Sequence, residues 1–157
     1  MSAEATTEIV VHKTVTVPLR VWRTFELFTA RMTEFWPSEH SIGTAPLAEV
    51  VVEPHEGGRW FERGVDGSEC PWGRVAGWSP PNRLVLLWQV GADWTCDPSL
   101  ETELEIDFVE ESPDRTRLEL RHRHLERYGE RAEALRAAFD GLGGRSDTLT
   151  RFAEFAR

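Results

Sequence analysis

The sequence predicts an α+β fold: a curved antiparallel sheet of about six to seven strands wrapped around a long C-terminal helix, with two short helices after the first strand. Three observations predict it. Gly73 to Trp88, GRVAGWSPPNRLVLLW, reads as strand, tight turn and strand. Leu100 to Arg123 holds two further strands in which apolar and charged residues alternate almost without fault. The C-terminal part instead steps its apolar residues by three and four, the period of an amphipathic helix. A sheet with one apolar face needs a cover, and only that helix is long enough to provide it.

The elements follow in order. Ile9, Val11, Val15 and Val17 share one side of a first strand. Pro18 stands where a helix can begin, since a first-turn proline loses no intrahelical bond. Val21, Trp22, Phe25, Phe28, Met32, Phe35 and Trp36 then follow at helical spacing, with a break expected near Thr29 to Arg31 and closure at Pro37. On this pattern Trp22 belongs to the core. Leu47 to Glu53 is a strand, Pro54 to Gly58 a turn, Arg59 to Arg63 a strand and Val65 to Ser68 a turn. Ser79-Pro80-Pro81-Asn82 cannot continue a central strand, because two prolines remove two donors and fix two φ angles. Leu84, Leu86, Trp88 and Val90 share the face that follows, and Gly91 to Ser99 is a loop.

In the next pair, Thr102, Leu104, Ile106 and Phe108 oppose Glu101, Glu103, Glu105 and Asp107. After Pro113-Asp114, Thr116, Leu118, Leu120 and His122 oppose Arg117, Glu119, Arg121 and Arg123. Paired as a hairpin, an acidic row faces a largely basic one, and each such pair contributes about 0.2–1 kcal/mol while helping to set register. Tyr128, Ala132, Leu135, Phe139, Leu142, Leu149, Phe152 and Ala156 form the C-terminal stripe. Gly141, Gly143 and Gly144 interrupt it, so the choice is between one bent helix and two in series.

The 157 residues suit a single domain covering 1–157. The N-terminus, MSAEATTE, shows no basic region followed by an apolar core, which leaves the cytoplasm as the default location. No apolar run approaches the ~20 residues of a membrane span. The net charge of −9 disfavours a nucleic-acid partner, and the arginines between Arg115 and Arg136 are interleaved with glutamates as a paired surface. Cys70 and Cys96 have neither metal-site nor redox-motif spacing and are expected as free thiols. No nucleophile-elbow, phosphate-loop, zincin or dinucleotide-binding pattern is present.

Among candidate site residues, seven tryptophans are many for one small domain. Aromatics combine large apolar area with an N–H that needs a partner, so they suit either a core or a cavity wall. Trp88 fits both readings, and the faces of Trp60 and Trp72 are open. His122 and His124 share a side at a chelating spacing, but no acid is placed as third ligand. No metal is therefore expected: His122 hydrogen-bonds in the core and His124 ends the strand. His122 also suits a pocket acid–base. Glu62 is expected to face outward, with Phe61 inward.

Val17-Pro18, Phe35-Trp36, Gly57-Gly58, Gly73, Val75, Pro80-Pro81, Arg83-Leu84, Trp88, Thr116-Arg117-Leu118 and His122 together resemble one superfamily across nearly the whole chain. It is the SRPBCC or START-like superfamily, with its helix-grip fold, in the branch of homologues of the activator of heat-shock-protein-90 ATPase. The resemblance implies a hydrophobic cavity between sheet and long helix. It also marks a departure. The family's Gly-Trp in the last helix reads Gly144-Arg145 here, and a charged group is expected to turn to solvent and leave a wetter gap.

The function this implies is binding of a small hydrophobic or aromatic molecule, without assigned catalysis or cofactor. Candidate lining residues are Trp36, Trp60, Val75, Leu86, Trp88 and Leu104. Ile106, Leu120, His122, Phe139, Leu142 and Phe152 complete the set. The gap is expected to open toward the Ser38–Pro46 loop. One alternative is a cyclase- or hydratase-type enzyme using His122. Another is a chaperone-interacting module that stimulates an ATPase. A homodimer through the exposed sheet face stays open, as some family members pair in that way.

Overall fold

The computed structural model describes residues 8–36, 42–141 and 144–156. Seven antiparallel strands form one curled sheet: β1 (Val11–Val17), β2 (Leu47–Val52), β3 (Arg59–Gly64), β4 (Glu69–Ser79), β5 (Arg83–Trp88), β6 (Thr102–Ser112) and β7 (Arg115–Arg123). Their order is β1-β7-β6-β5-β4-β3-β2, so β2 to β7 succeed one another as neighbours and β1 adds to the free edge of β7. Helix α1 (Val21–Ala30) and a 3₁₀ turn (Met32–Glu34) follow β1. The C-terminal cover is a 3₁₀ segment (Leu125–Arg131), α2 (Ala132–Asp140) and α3 (Arg145–Phe155). Two helices in series is thus the arrangement adopted, with Gly141 extended at the end of α2.

The two-residue period works as the sequence implies. Leu84 pairs with Ile106, Leu86 with Leu104 and Trp88 with Thr102. Leu104 pairs with His122, Ile106 with Leu120 and Phe108 with Leu118. Each of these residues is at most 1% exposed. Burial of one large apolar side chain is worth about 1.5–3 kcal/mol, so this face dominates the stability of the sheet. On the opposite face Arg83 and Arg121 both pair with Asp107, and Arg123 pairs with Glu105 and Glu8. Those of the pairs that stay open to solvent contribute about 0–1 kcal/mol each and serve register more than stability, whereas Glu105 is itself buried beneath its arginines. At Gly73 a Cβ would stand 1.6 Å from the Leu87 carbonyl oxygen, so β4 and β5 approach there more closely than any side chain allows.

Helix α1 closes one end of the sheet. Phe25 and Phe28 meet Phe108 edge to face at 5.1 and 5.7 Å, and Phe28 meets Phe152 of α3 at 5.2 Å. These contacts join α1, the sheet and α3 into one core. Trp22 departs from expectation: it is 60% exposed rather than buried. The inward face of α1 carries Val21, Thr24, Phe25 and Phe28. A helix turns about 100° per residue, which swings Trp22 outward beside Arg23 and Glu26. No helix among the described residues is long and apolar enough to cross a membrane.

Candidate functional site: an aromatic interior between two buried charges

Four indoles meet on the inner side of the sheet, and two of them, Trp36 and Trp88, reach side chains of the C-terminal helices. Trp36, Trp60, Trp72 and Trp88 each lie within 6.4 Å, centroid to centroid, of the other three. The strands explain the gathering. Trp60 pairs with Gly73, which pairs with Trp88, so two inward indoles flank a residue without a side chain. Trp72 precedes Gly73 and should point the other way by simple alternation. The β3–β4 register shifts at this point, with Trp60 opposite Gly73 and Phe61 opposite Pro71. Trp72 is the extra residue, and the bulge turns its ring inward. The Trp60 Nε1–H is directed at the Met32 sulfur, 3.3 Å away.

Glu62 lies on the Trp60 side of β3 and is 1% exposed, which corrects the outward placement drawn from the sequence. Its carboxylate accepts hydrogen bonds from Trp72 Nε1 at 2.9 Å and from the Ile42 and Gly43 backbone N–H groups at 2.5 and 3.2 Å. Phe61 takes the outer face instead. It is shielded there by the guanidinium groups of Arg59 and Arg63, 4.3 and 5.4 Å from its ring. The sequence pattern could not anticipate that two arginines would cover a phenylalanine on the solvent side.

Arg145 is the second correction. It is 1% exposed and points inward, not to solvent. Its guanidinium carbon lies 4.6 Å from the Trp88 ring, 4.7 Å from Phe139 and 5.4 Å from Trp36. Gly144 makes this possible. A Cβ at Gly144 would stand 2.3 Å from the Phe139 carbonyl oxygen, so the chain turns back tightly against the end of α2. That turn delivers the next residue, the first of α3, into the interior.

Arg145 Nε donates to His122 Nδ1 at 3.3 Å. His122 Nε2 lies 2.9 Å from Thr102 Oγ1, whose hydroxyl donates to the Trp88 carbonyl at 2.8 Å. With Nδ1 accepting, the imidazole proton sits on Nε2. Burial, and then the Arg145 charge, hold His122 well below the usual imidazole range. The ring is neutral and both its nitrogens are engaged. It therefore orients Arg145 and is poorly placed as an acid–base. Burial also pulls Arg145 down to about 10, which still leaves it charged at neutral pH. Tyr128 donates to the Val90 carbonyl at 2.7 Å, and its hydroxyl is pushed up to about 12 by burial.

His124 does not share a side with His122. It has left-handed backbone (φ 63°) just beyond β7, and its ring lies near Glu126, Glu8 and Glu103. Among the described residues no group of three His, Cys, Asp or Glu side chains could hold a metal ion.

Of the candidate lining residues, Trp36, Trp60, Val75, Leu86, Trp88 and Leu104 are buried, as are Ile106, Leu120, His122, Phe139 and Phe152. Leu142 and residues 38–41 of the expected opening lie outside the described residues. Sequence reasoning put Thr102 on the inner face without a role in the site, turned Glu62 outward and left the face of Trp72 open. The signal for Trp72 was present in Pro71 and Gly73 on either side of it, a composition that suits a bulge. A separate open groove of about 450 Å³ lies outside this interior, lined by Trp22, Phe25, Val52, Trp78, Pro80 and neighbours.

Among the solved structures that share the fold are the following three. An anthrahydroquino-gamma-pyrone synthase, Txn09, solved as a complex, is 38% identical over 92% of this chain and 95% of its own, with a TM-score of 0.65. The self-sacrificing resistance protein CalC from Micromonospora echinospora is 28% identical over 94% of this chain and 93% of its own, with a TM-score of 0.68. An HSP90 activator from Plasmodium falciparum is 18% identical over 73% of this chain and 72% of its own, with a TM-score of 0.50, and shows the fold alone. A search of curated proteins found no match. The model of the family described as Activator of Hsp90 ATPase homolog 1-like protein matches residues 16–154, and this chain belongs to that family.

Proposed function

We propose that the protein binds a small aromatic molecule in the interior bounded by the sheet, α2 and α3. The observation that carries this reading is the cluster of four indoles, two of which, Trp36 and Trp88, meet the inward-facing Arg145. A core needs apolar volume, but it gains nothing from a buried guanidinium that aliphatic packing would not supply better. The indoles meet edge to face or tilted, and aromatic walls with a few fixed polar groups suit an aromatic ligand. The 38% identity to a synthase of polycyclic compounds supports the ligand class.

The test is tryptophan quenching by anthraquinone-type probes. The parent protein should show saturable quenching at micromolar concentration. Trp88→Leu should weaken binding roughly tenfold, and Trp22→Ala, at the outer groove, should leave it unchanged. The reverse pattern would move the site to the groove beside α1 and sink this reading.

The same synthase favours a second, enzymatic reading. In it Arg145 would stabilise negative charge that develops on a substrate oxygen during ring closure, with His122 as its positioning residue. Turnover of a ring-opened polyketide by the parent, lost in Arg145→Met, would support it. Absence of turnover would leave binding alone.

A further inference from the structure

Resting on the interior site just proposed, we infer that Arg145 recognises an anion: the bound molecule is a planar aromatic carrying one ionised oxygen, a phenolate, enolate or carboxylate, placed against Arg145 Nη2. Three observations carry this. The first is the absence of a counter-charge. Arg83, Arg117, Arg121 and Arg123 on the outer face each hold carboxylates, whereas among the described residues Arg145 pairs with none. The acid on its own side of the sheet, Glu62, is engaged by Trp72 and two backbone amides.

The second is the donor inventory. Arg145 Nη2 is buried without an acceptor. The guanidinium carbon is 4.6 Å from the Trp88 ring, which places this orphan donor beside an aromatic wall of the interior. A buried charged donor in want of an acceptor selects an oxygen-bearing ligand over a hydrocarbon.

The third is orientation. His122 is neutral and accepts from Nε, which fixes the guanidinium plane and leaves the Nη edge for a ligand. Trp88, Phe139 and Trp36 solvate the cation through their ring faces, which offsets part of its desolvation but supplies no lone pair. Arg145 also opens α3, where the helix dipole adds further positive potential. A cation held in such a place is an acceptor site for negative charge.

The experiment compares anthraquinone-2-carboxylate with its neutral carboxamide at neutral pH, by tryptophan quenching. The parent should prefer the carboxylate by about tenfold or more, as a charge-assisted bond to a desolvated guanidinium requires. Arg145→Met should bring the two affinities to within about threefold of each other, and Arg145→Lys should restore part of the preference. Equal affinities in the parent, or a preference that survives in Arg145→Met, overturn the anion site and leave the aromatic interior standing. Binding of neither probe to the parent overturns the interior site and this inference together.

Discussion

The two ends of the tryptophan cluster hold opposite charges under different terms. Glu62 and Arg145 are both 1% exposed. Glu62 accepts from an indole and two backbone amides, which is how a buried carboxylate is made tolerable. Arg145 has one imidazole nitrogen, three ring faces and an orphan Nη2. Glu62 fastens residues 42 and 43 to the sheet and behaves as part of the scaffold. Arg145 has no carboxylate partner among the described residues, and this asymmetry predicts that removing the two groups will have opposite effects on stability.

The largest effect should come from the scaffold end. Glu62→Leu strands the Trp72 indole N–H and two amides, each costing about 1–3 kcal/mol if it stays buried and unpaired. A net loss of about 3–5 kcal/mol in urea unfolding is expected. A loss below about 1 kcal/mol would show that water reaches this end, and the contrast would collapse.

At the other end the sign should reverse. Arg145→Met removes an unpaired buried charge and keeps the volume, so stability should be unchanged or raised by about 1–2 kcal/mol. A loss of more than about 2 kcal/mol would make the guanidinium a structural group like Glu62.

Acid sharpens the comparison further. The folded state holds His122 well below its ordinary 6.5, through burial and then the Arg145 charge. Between the two values the unfolded chain binds the extra proton. The stability from this group is therefore complete above pH 6.5 and is lost as pH falls below it, by up to about 1.4 kcal/mol per pH unit. His122→Asn should flatten that slope in pH-dependent unfolding. A parent curve with the same slope as the variant would remove His122 from the account.

The smallest effect belongs to the outer face. Arg121 holds Asp107 and Glu119 in half-buried pairs at the solvent face, so Arg121→Ala should cost about 1 kcal/mol. A larger loss would mean that the outer charges, too, are part of the scaffold.

Much of the architecture was legible before any coordinates. The alternation in β5, β6 and β7 is strict because one face of each strand meets the core and the other meets water. Period-two reading therefore placed Leu104, Ile106, Phe108, Leu118 and Leu120 correctly. It failed where that condition failed. Glu62 and Phe61 are exchanged relative to their polarity, because local partners satisfy the acid and two arginines cover the ring. Trp72 is turned by a bulge that depends on pairing with β3. Trp22 was misplaced because an apolar residue adjacent to a helical stripe satisfies the pattern without lying on it.

The sequence by itself determined the strand and helix order, the inner face of the β5–β7 sheet and the family resemblance, because these rest on local periodicity and short-range turn chemistry. Only the tertiary structure decided the fate of the ionisable groups. Whether Arg145 reaches water depends on how tightly Gly144 returns against α2, and whether Glu62 is tolerable depends on which amides of residues 42 and 43 arrive beside it. Desolvation and its compensation are properties of assembled surroundings, and a linear pattern of polar and apolar residues does not contain them.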